Sequence, residues 1–371
     1  MVSPAKIQAA LAKPFLPVFF FFAGVTYDTV TLTRIDRLQD NLILLLYLAL
    51  LGCLIVLVGR VGNGSIPATE PAELPHGAVS FLLRAKPYYP MAIQFLLGGL
   101  FSAYTIFYSR SASLTTTAVF FGLLVACLVA NEFLKDRLTN LRLLVSLYAV
   151  VCFAFFTFFL PVLIGRMTTL VFLTGAVLSG LVMLRVVELI YRGNAAFSRK
   201  DLAMTTAPPL VVIGVLVGFY FLNWIPPVPL SMKFGGIYHE VKKAGDRFEL
   251  SFAREWYQVW KRSDTTFPAG EPIYCFTAVF APVDLNTTVY HHWYYRPNAK
   301  TGRPFLSADR IPIKISGGRE GGYRASTFKQ RLDPGDWRVD VETEDGRVLG
   351  RVSVLVQERA EGQPTLKTIS Y

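Results

Sequence analysis

The sequence has 371 residues, of which 53% are hydrophobic and only 17% are charged. A soluble domain typically contains about 25% charged residues, so the composition excludes an ordinary soluble enzyme and a disordered protein. The charge is also unevenly distributed: residues 1–230 contain 16 basic and 9 acidic residues, whereas residues 231–371 contain 21 and 17. The first part is therefore expected to lie in a membrane, and the second part to form a polar domain.

Seven apolar runs are long enough to cross a bilayer, which takes about 20 residues. They lie near 14–33, 41–59, 88–108, 113–134, 143–163, 167–190 and 208–226. Thr, Tyr and Asp interrupt the second half of the first run, but no small-residue cleavage site follows it, so we interpret it as a retained helix. Residues 1–226 are thus predicted to form an α-helical membrane bundle of about seven transmembrane helices.

The basic residues of the loops predict how this bundle is oriented. With a cytoplasmic N-terminus, eleven of them face inwards: Lys6, Lys13, Arg60, Arg84, Lys86, Lys135, Arg137, Arg142, Arg192, Arg199 and Lys200. Only four then face outwards: Arg34, Arg37, Arg110 and Arg166. Because Lys and Arg accumulate on the cytoplasmic side, we expect a multi-pass protein of the bacterial inner membrane with a periplasmic C-terminal domain. The orientation reverses if the first run does not span.

Four ionisable residues fall inside the predicted spans, where such residues are hypotheses for function. They are Asp28, Glu132, Arg185 and Glu188. One interpretation is a polar site for an ion or a substrate. The other, which we favour because all four lie near a membrane surface, is hydrogen bonding between helices and snorkelling at helix ends. The sequence shows no convincing internal repeat, so a transporter lacks its best sequence indication.

The pattern changes after the proline-rich segment 223–229, where short alternating runs are divided by turn residues. Such a pattern is typical of antiparallel β-structure. Strands are predicted at 236–242, 247–252, 272–280, 287–295, 310–316, 336–343 and 347–356. About seven strands in residues 227–371 fit an all-β, immunoglobulin-like sandwich domain. Cys275 is the single cysteine of this part, so we expect no internal disulfide.

Short motifs spread over most of the chain resemble a known family. In the membrane part they are Phe22-Ala23-Gly24, Tyr27-Asp28, Thr31 through Asp36, Tyr108 through Ser113 and Asn131-Glu132. Further on they are Ile273 through Ala278, Ala281-Pro282, His292-Trp293, Gly317 through Arg324, Gly335 through Val339 and Leu349-Gly350-Arg351. With these motifs the chain resembles a bacterial multi-spanning membrane protein family that ends in a domain of unknown function 2914. The resemblance implies the membrane topology and the C-terminal domain, and it implies no activity. Ser326 departs from the Trp that the family pattern leads us to expect.

The segment 296–331 is the most informative for function, because it contains nine basic and only two acidic residues. Glycine amides at 317–318 or 321–322 could form an anion-binding nest, with arginines as forked donors. We predict an anion or partner site formed by Arg296, Arg303, Arg310, Arg319, Tyr323, Arg324, Lys329 and Arg331. The alternative is a solvated face that adheres to anionic lipid headgroups.

Catalytic and metal-binding patterns are weak. His291 and His292 are adjacent on a predicted strand and should point to opposite faces, so we expect no metal site. His292 is instead expected to pack in the strand or to join Trp293 and Tyr295 in an aromatic patch. A nucleophile such as Ser326 or Thr327 beside His292 can be imagined, but nothing in the sequence brings them together. We therefore expect no catalytic residue and no cofactor.

The sequence as a whole favours a non-catalytic inner-membrane protein acting as a scaffold, assembly factor or sensor. Its periplasmic domain would bind an anionic glycan, a lipid headgroup or a protein partner. The alternative is a transporter or lipid-handling protein that uses the bundle as a substrate path, and a third reading is a membrane-embedded transferase or hydrolase. We expect contact with membrane lipids and no nucleic-acid partner, and the sequence leaves oligomerisation open.

Overall fold

The computed structural model describes residues 26, 28–30, 32, 37–62, 88–111, 118–133, 140–192, 198–254, 257–258, 260–282, 285–297, 304–319, 321–358 and 365–371. These residues contain six helices of at least 16 residues, followed by eleven strands. The helices are α1 (Leu38–Gly62), α2 (Tyr89–Ser111), α3 (Ala118–Phe133), α4 (Leu141–Ile164), α5 (Thr169–Tyr191) and α6 (Arg199–Phe221).

Five of the helices are long and apolar enough to cross a membrane, namely α1, α2, α4, α5 and α6. The prediction of about seven transmembrane helices is therefore too many for the described residues. The run near 113–134 forms α3, whose 16 residues fall short of the roughly 20 that a bilayer requires. The run near 14–33 lies mostly outside the described residues.

The helices approach each other closely where glycine removes a side chain. A Cβ atom at Gly52 of α1 would lie 2.7 Å from the hydroxyl oxygen of Tyr148 on α4. One at Gly59 would lie 2.6 Å from Cγ2 of Ile190 on α5. Small residues at such crossings are the usual basis of helix packing in membranes, where burial in apolar lipid gives no driving force.

Two compact units make up the chain. The first consists of Met1–Phe107, Gly122–Phe156 and Ala176–Val215, and the second of Tyr108–Phe121, Thr157–Gly175 and Leu216–Tyr371. The second unit thus contains all the strands together with one end of several helices. The domain boundary at residues 226 and 227 stays a prediction from hydropathy.

Eleven strands form three sheets in the second unit. The strands are β1 (Ser231–Tyr238), β2 (Glu240–Ala244), β3 (Arg247–Ala253), β4 (Thr266–Pro268), β5 (Ile273–Phe280), β6 (Asn286–Pro297), β7 (Leu306–Ser316), β8 (Tyr323–Lys329), β9 (Gly335–Thr343), β10 (Val348–Gln357) and β11 (Leu366–Ser370). Sheet I has the order β1-β5-β8, sheet II β4-β10-β9-β6-β7 and sheet III β11-β3-β2. All neighbours are antiparallel except β4 and β10.

The central strand of sheet I, β5, is buried on both faces, which explains why it is almost continuously hydrophobic. Ile273 and Cys275 of β5 share a core with Trp293 and Trp337 of sheet II. Phe276 points the other way, into a core that also holds Leu250 and Phe252 of sheet III. Side chains alternate between the faces of a strand, so one strand supplies two cores.

The loop before β8 is held by glycine amides. The N–H of Gly317 donates to the carbonyl of Leu285 at 3.1 Å, and that of Gly318 donates to the carbonyl of Ala281 at 3.2 Å. A Cβ atom at Gly317 would lie 1.5 Å from the carbonyl oxygen of Pro282. No side chain fits at residue 317 unless the backbone moves.

Gly317→Ala should therefore lower the free energy of unfolding of this region by about 2 kcal/mol, because overpacking forces backbone shifts. Hydrogen exchange of the full chain in detergent, read on peptides from the strands, measures this loss. Gly321→Ala is the matched control, since its Cβ would meet only Arg324 Nη2 at an ordinary 3.7 Å. Equal protection in the two variants would contradict the close approach at Gly317.

Candidate functional site: the polar face of sheet II

Sheet II has one hydrophobic and one polar face, and β9 shows why. Trp337, Val339 and Val341 enter the cores shared with sheet I. The residues between and beside them therefore project from the opposite side, because strand side chains alternate. We call this side the polar face; its residues are Tyr290, His292, Tyr294 and Arg296 on β6, Ser307 and Arg310 on β7, Asp336, Arg338, Asp340 and Glu342 on β9, and Arg351 on β10.

Cross-strand ion pairs connect the polar face. Arg351 is bidentate on Asp340, with Nε 2.6 Å from Oδ1 and Nη2 2.8 Å from Oδ2. These hydrogen bonds raise the pKa of the Arg351 guanidinium. The Nε of Arg310 donates to Oε1 of Glu342 at 2.7 Å. Bidentate and charge-assisted pairs of this kind fix the direction of a guanidinium.

A second group of contacts holds the remaining arginines. Nη2 of Arg296 donates to Oδ2 of Asp336 at 2.6 Å, and its guanidinium lies 4.5 Å from the Phe305 ring centroid. The guanidinium of Arg338 lies 4.3 Å from the same ring and 4.6 Å from that of Tyr294. Stacking on aromatic faces thus adds to the ion pairs of Arg296 with Asp336 and of Arg338 with Asp340 in holding these cations in place.

In two of the three close ion pairs of the polar face the carboxylate is buried far more deeply than its arginine, whereas Arg296 and Asp336 are similarly exposed, at 26% and 23%. The side chains of Asp340 and Glu342 are 3% and 6% exposed, whereas those of Arg351 and Arg310 are 26% and 36% exposed. The carboxylates therefore lie beneath and the guanidiniums nearer the solvent. A partner approaching the polar face meets arginine N–H groups first.

His292 lies beside these pairs in a line of hydrogen bonds. Its Nδ1 is 3.0 Å from Oε1 of Glu342, and its Nε2 is 2.7 Å from Oγ of Ser307. The ring stacks on Tyr294 with centroids 4.0 Å apart, and the Tyr294 hydroxyl is 2.9 Å from Nδ1. A serine, a histidine and a glutamate thus meet across β7, β6 and β9.

The neighbouring His291 points to the other face, into the core. Its Nε2 is 2.7 Å from Oγ1 of Thr277 and its Nδ1 is 2.9 Å from Oγ1 of Thr327. Burial lowers the pKa of His291 to about 4, so its ring is neutral at physiological pH. The two histidines therefore lie on opposite sides of β6.

Arg319, in the loop before β8, and Arg324 and Lys329, in β8, were all predicted for anion binding and lie away from the polar face. Arg319 stands 5.5 Å from the Tyr323 ring, and Arg324 donates to the backbone carbonyl of Asp246 at 2.5 Å. Lys329 pairs with Asp309.

The structure thus divides the predicted anion site. Arg296 and Arg310 lie on sheet II, whereas Arg324 and Lys329 lie on sheet I. Arg331 is exposed after β8, and Arg303 is outside the described residues.

Four glycine amides were predicted as donors of an anion-binding nest, and three of them donate to backbone carbonyls instead. Gly317 and Gly318 donate to backbone carbonyls of the preceding loop, and the N–H of Gly322 donates to the carbonyl of Arg319 at 2.9 Å. A donor already bonded within the loop is not presented to an anion. These backbone hydrogen bonds stabilise the conformation of the loop itself.

The predicted aromatic patch is also divided. Trp293 is fully buried and its Nε1 donates to Thr327, because it alternates with His292 along β6. Tyr295 packs on Trp337 with ring centroids 4.5 Å apart and donates its hydroxyl to the carbonyl of Pro334. Only His292 of the three belongs to the polar face.

The intramembrane polar residues make local contacts. Ser102 Oγ donates to Oδ2 of Asp28 at 2.6 Å. Arg185 and Glu188 form an exposed pair at 2.6 Å on one face of α5, the spacing of one helical turn. The Glu132 side chain lies outside the described residues. The first contact joins Asp28 to α2, and the second lies within α5.

Sequence reasoning missed several residues of the polar face. Arg338 and Arg351 lie beyond the basic segment 296–331, and Asp340 and Glu342 do not contribute to a count of positive charge. A signal was present: charged residues alternate with Trp337, Val339 and Val341 along one strand. Ser307 carried no comparable signal, because it meets His292 only through the pairing of β6 with β7.

In the part of the chain that the structure describes, no group of three or more His, Cys, Asp or Glu side chains is placed to hold a metal ion. The polar face is therefore described by its hydrogen bonds and ion pairs. It can present guanidinium donors, and it can polarise a serine hydroxyl.

Apolar helices followed by a β-rich domain with antiparallel sheets define a membrane-type protein with a polar C-terminal domain. Residues 286–356 match the model of a family described as "Protein of unknown function (DUF2914)". The match supports the resemblance of the C-terminal domain, and no family match extends it to the membrane helices. Strands β6–β10, which carry the whole polar face, lie within the matched segment except for the last residue of β10.

Two further comparisons add little. No curated protein matches the chain. Among solved structures it is similar to the Pseudomonas fluorescens alkylpurine DNA glycosylase AlkC bound to DNA containing an abasic site analog, with 11% identity over 88% of this chain and 99% of that one. The TM-score is 0.23, so this similarity carries no argument about fold or activity.

Proposed function

We propose that this is an inner-membrane protein whose periplasmic β-sandwich binds an anionic envelope component or partner protein, as a scaffold, assembly factor or sensor. One observation carries the proposal: at two ion pairs of the polar face, Arg351 and Arg310 lie above the more deeply buried Asp340 and Glu342. Holding a guanidinium in advance lowers the entropy lost on binding. Its remaining N–H groups suit carboxylate or phosphate oxygens.

The orientation is supported by the loop charges, even with five spans. Counting only the five apolar helices of the described residues, an odd number as is seven, the C-terminal domain again lies opposite the segment that precedes α1. Eleven basic residues then share the N-terminal side: Lys6, Lys13, Arg34, Arg37, Arg110, Lys135, Arg137, Arg142, Arg192, Arg199 and Lys200. Only Arg60, Arg84, Lys86 and Arg166 lie on the other side. This asymmetry favours a cytoplasmic N-terminus.

The assignment of an immunoglobulin-like sandwich is supported by the packing of sheets I and II. Ile237 and Cys275 of sheet I contact the same core as Val339 and Val354 of sheet II. A second core joins Val279 to residues of sheet II. Two sheets with a shared interior and hydrophobic faces turned inwards are the basis of a sandwich.

The binding proposal is tested by purifying the full chain from native membranes in mild detergent and identifying what co-purifies by mass spectrometry. Arg338→Met/Arg351→Met removes two cations from the polar face, and we expect capture of the partner to fall at least about tenfold, since one charged hydrogen bond contributes about 1.5–3 kcal/mol. Arg247→Met is the matched control, because Arg247 is exposed on sheet III. Capture equal to wild type by the double variant, with unchanged melting, would sink the proposal for this face. Arg319→Glu/Arg324→Glu tests these two predicted anion-binding residues separately.

Lipid handling remains the second candidate because of a cleft in the second unit. The cleft is small and is lined by Tyr108, Thr157, Pro161, Met167, Thr168, Phe172, Tyr220, Ile225, Pro226, Val228, Asp345 and Arg347. The Arg347 guanidinium lies 3.5 Å from the Tyr220 ring centroid. Mainly apolar walls with the Arg347–Asp345 ion pair at one side suit an amphiphile. A lipid that co-purifies with wild type and is lost in Arg347→Leu, but kept in Arg338→Met/Arg351→Met, would favour this role.

A further inference from the structure

Three side chains of the polar face form a line of hydrogen bonds from an exposed serine to a buried carboxylate. Ser307 Oγ is 2.7 Å from Nε2 of His292, and His292 Nδ1 is 3.0 Å from Oε1 of Glu342. Ser307 is exposed, whereas Glu342 is buried. A nucleophile, a base and a group that orients the base are the three parts of a serine-type site.

The carboxylate determines where the histidine proton lies. An unprotonated Nδ1 would turn its lone pair towards Oε1 of Glu342, so Nδ1 carries the hydrogen and donates. The Tyr294 hydroxyl oxygen, 2.9 Å from the same nitrogen, is its second acceptor. In the neutral ring Nε2 is then free to accept, and Ser307 donates its hydroxyl hydrogen to it. This is the tautomer that removes a proton from a serine.

We propose that Ser307 is a nucleophile towards carboxylic esters, with His292 as its general base and Glu342 as the residue that positions His292. Oγ attacks the ester carbonyl carbon, and its proton passes to Nε2. The bond to the alkoxy oxygen breaks, and the alcohol leaves with that proton. Water then attacks the acyl group in the same way, which releases the carboxylic acid and restores Ser307.

The strand pairing supplies a candidate oxyanion donor next to the nucleophile. Tyr294 pairs with Ser307 and Trp293 pairs with Asp309, so Ala308 has no partner on β6. The extra residue of such a bulge is left unpaired in the ladder. We assign the Ala308 amide to the developing negative charge on the substrate oxygen, the role that preorganised backbone donors have in acyl transfer.

This proposal assigns a catalytic residue where the sequence predicted none. It is independent of the proposed binding function and does not depend on partner capture. Capture is removed with Arg338 and Arg351, neither of which takes part in the three-residue line. The two proposals therefore fail independently. A protein that captures a partner and has an unreactive Ser307 keeps only the first.

A fluorophosphonate probe tests the reactivity of Ser307 in the full chain in detergent. Oγ forms a bond to phosphorus, fluoride leaves, and the Oγ proton passes to His292. Peptide mass spectrometry should locate the label on Ser307, and Ser307→Ala should abolish it. His292→Gln should slow labelling about 100-fold or more and Glu342→Gln about tenfold, by loss of the base and of its orientation. Ser326→Ala is the matched control, because Ser326 is an exposed strand serine of the same domain.

A second readout separates chemistry from a mere loss of structure. Ser307→Cys keeps the position and is alkylated by iodoacetamide, whose rate rises when a base draws off the thiol proton. Alkylation of Cys at this position should be at least fivefold faster with His292 present than in the added His292→Gln background. Two results would overturn the proposal. One is that the probe labels Ser307 of the wild type no faster than it labels Ser326; the other is that Ser307→Cys is alkylated equally fast with His292 and with His292→Gln.

Discussion

Replacing Trp293 with alanine lowers the free energy of unfolding of the β-rich region by about 3–5 kcal/mol, the range for a large aromatic residue removed from a core. Trp293 is fully buried, and its ring lies edge-on to Trp337 with centroids 6.5 Å apart. The core shared by sheets I and II surrounds it, so the cavity cannot fill with a neighbouring loop. Its Nε1 also donates a hydrogen bond to Thr327, and this bond is lost in the alanine variant.

Hydrogen exchange of the full chain in detergent measures this effect on peptides from β5, β6 and β9. Trp260→Ala is the matched control, since Trp260 is 91% exposed and its removal should change stability by less than about 0.5 kcal/mol. The two variants delete the same side chain, so their difference reports burial alone. Similar losses in both would show that Trp293 is not in a closed core.

Hydropathy located the six described helices, but it counted the short α3 as a span and misjudged where α6 begins. The run near 208–226 corresponds to α6, which begins nine residues earlier at Arg199. Its first turn is polar, so it is invisible to a search for apolar runs, and Pro208 and Pro209 lie inside the helix instead of starting it. Prolines are tolerated in such helices when neighbouring groups satisfy the freed carbonyls.

Alternation of side chains predicted β3, β5, β6, β7, β9 and β10, but it joined the end of β1 and the start of β2 into one strand at 236–242 and missed β4, β8 and β11. Within Tyr323–Lys329, Thr327 is buried and Phe328 is exposed, the reverse of the hydrophobic pattern. Thr327 lies inside because its hydroxyl serves both His291 and Trp293. A buried polar residue of this kind is recognisable only once its partners are known, so the segment was read as a basic surface.

The candidate site depended on tertiary pairing for the same reason. Summed charge over residues 296–331 predicted a cationic patch, but it ignored acids that lie elsewhere in the sequence. Glu342 meets Arg310 across two strands and meets His292 across one. Local sequence could predict which side of β9 is polar; it could not predict which charges compensate each other.

His291 gives the stability of the β-rich region a defined dependence on pH. In the unfolded chain its pKa is close to the ordinary value of 6.5, and burial lowers the pKa to about 4 in the folded state. The folded state therefore binds fewer protons between these values. Stability from the neutral ring is fully present above pH 6.5 and is lost as the pH falls towards 4.

The size of this loss is roughly 3 kcal/mol between pH 6.5 and pH 4, because each unit of pKa difference corresponds to about 1.4 kcal/mol. His291→Gln isolates the effect, since glutamine does not titrate. Burial raises the pKa of Asp264 to about 6, which acts in the opposite direction, but this carboxyl is present in both proteins and cancels. The stability of wild type relative to the variant should therefore fall by roughly 3 kcal/mol over that interval. Hydrogen exchange at pH 7, 6, 5 and 4, corrected for intrinsic rates, gives the difference, and a difference that stays constant with pH would show that His291 is hydrated and titrates normally in the folded protein.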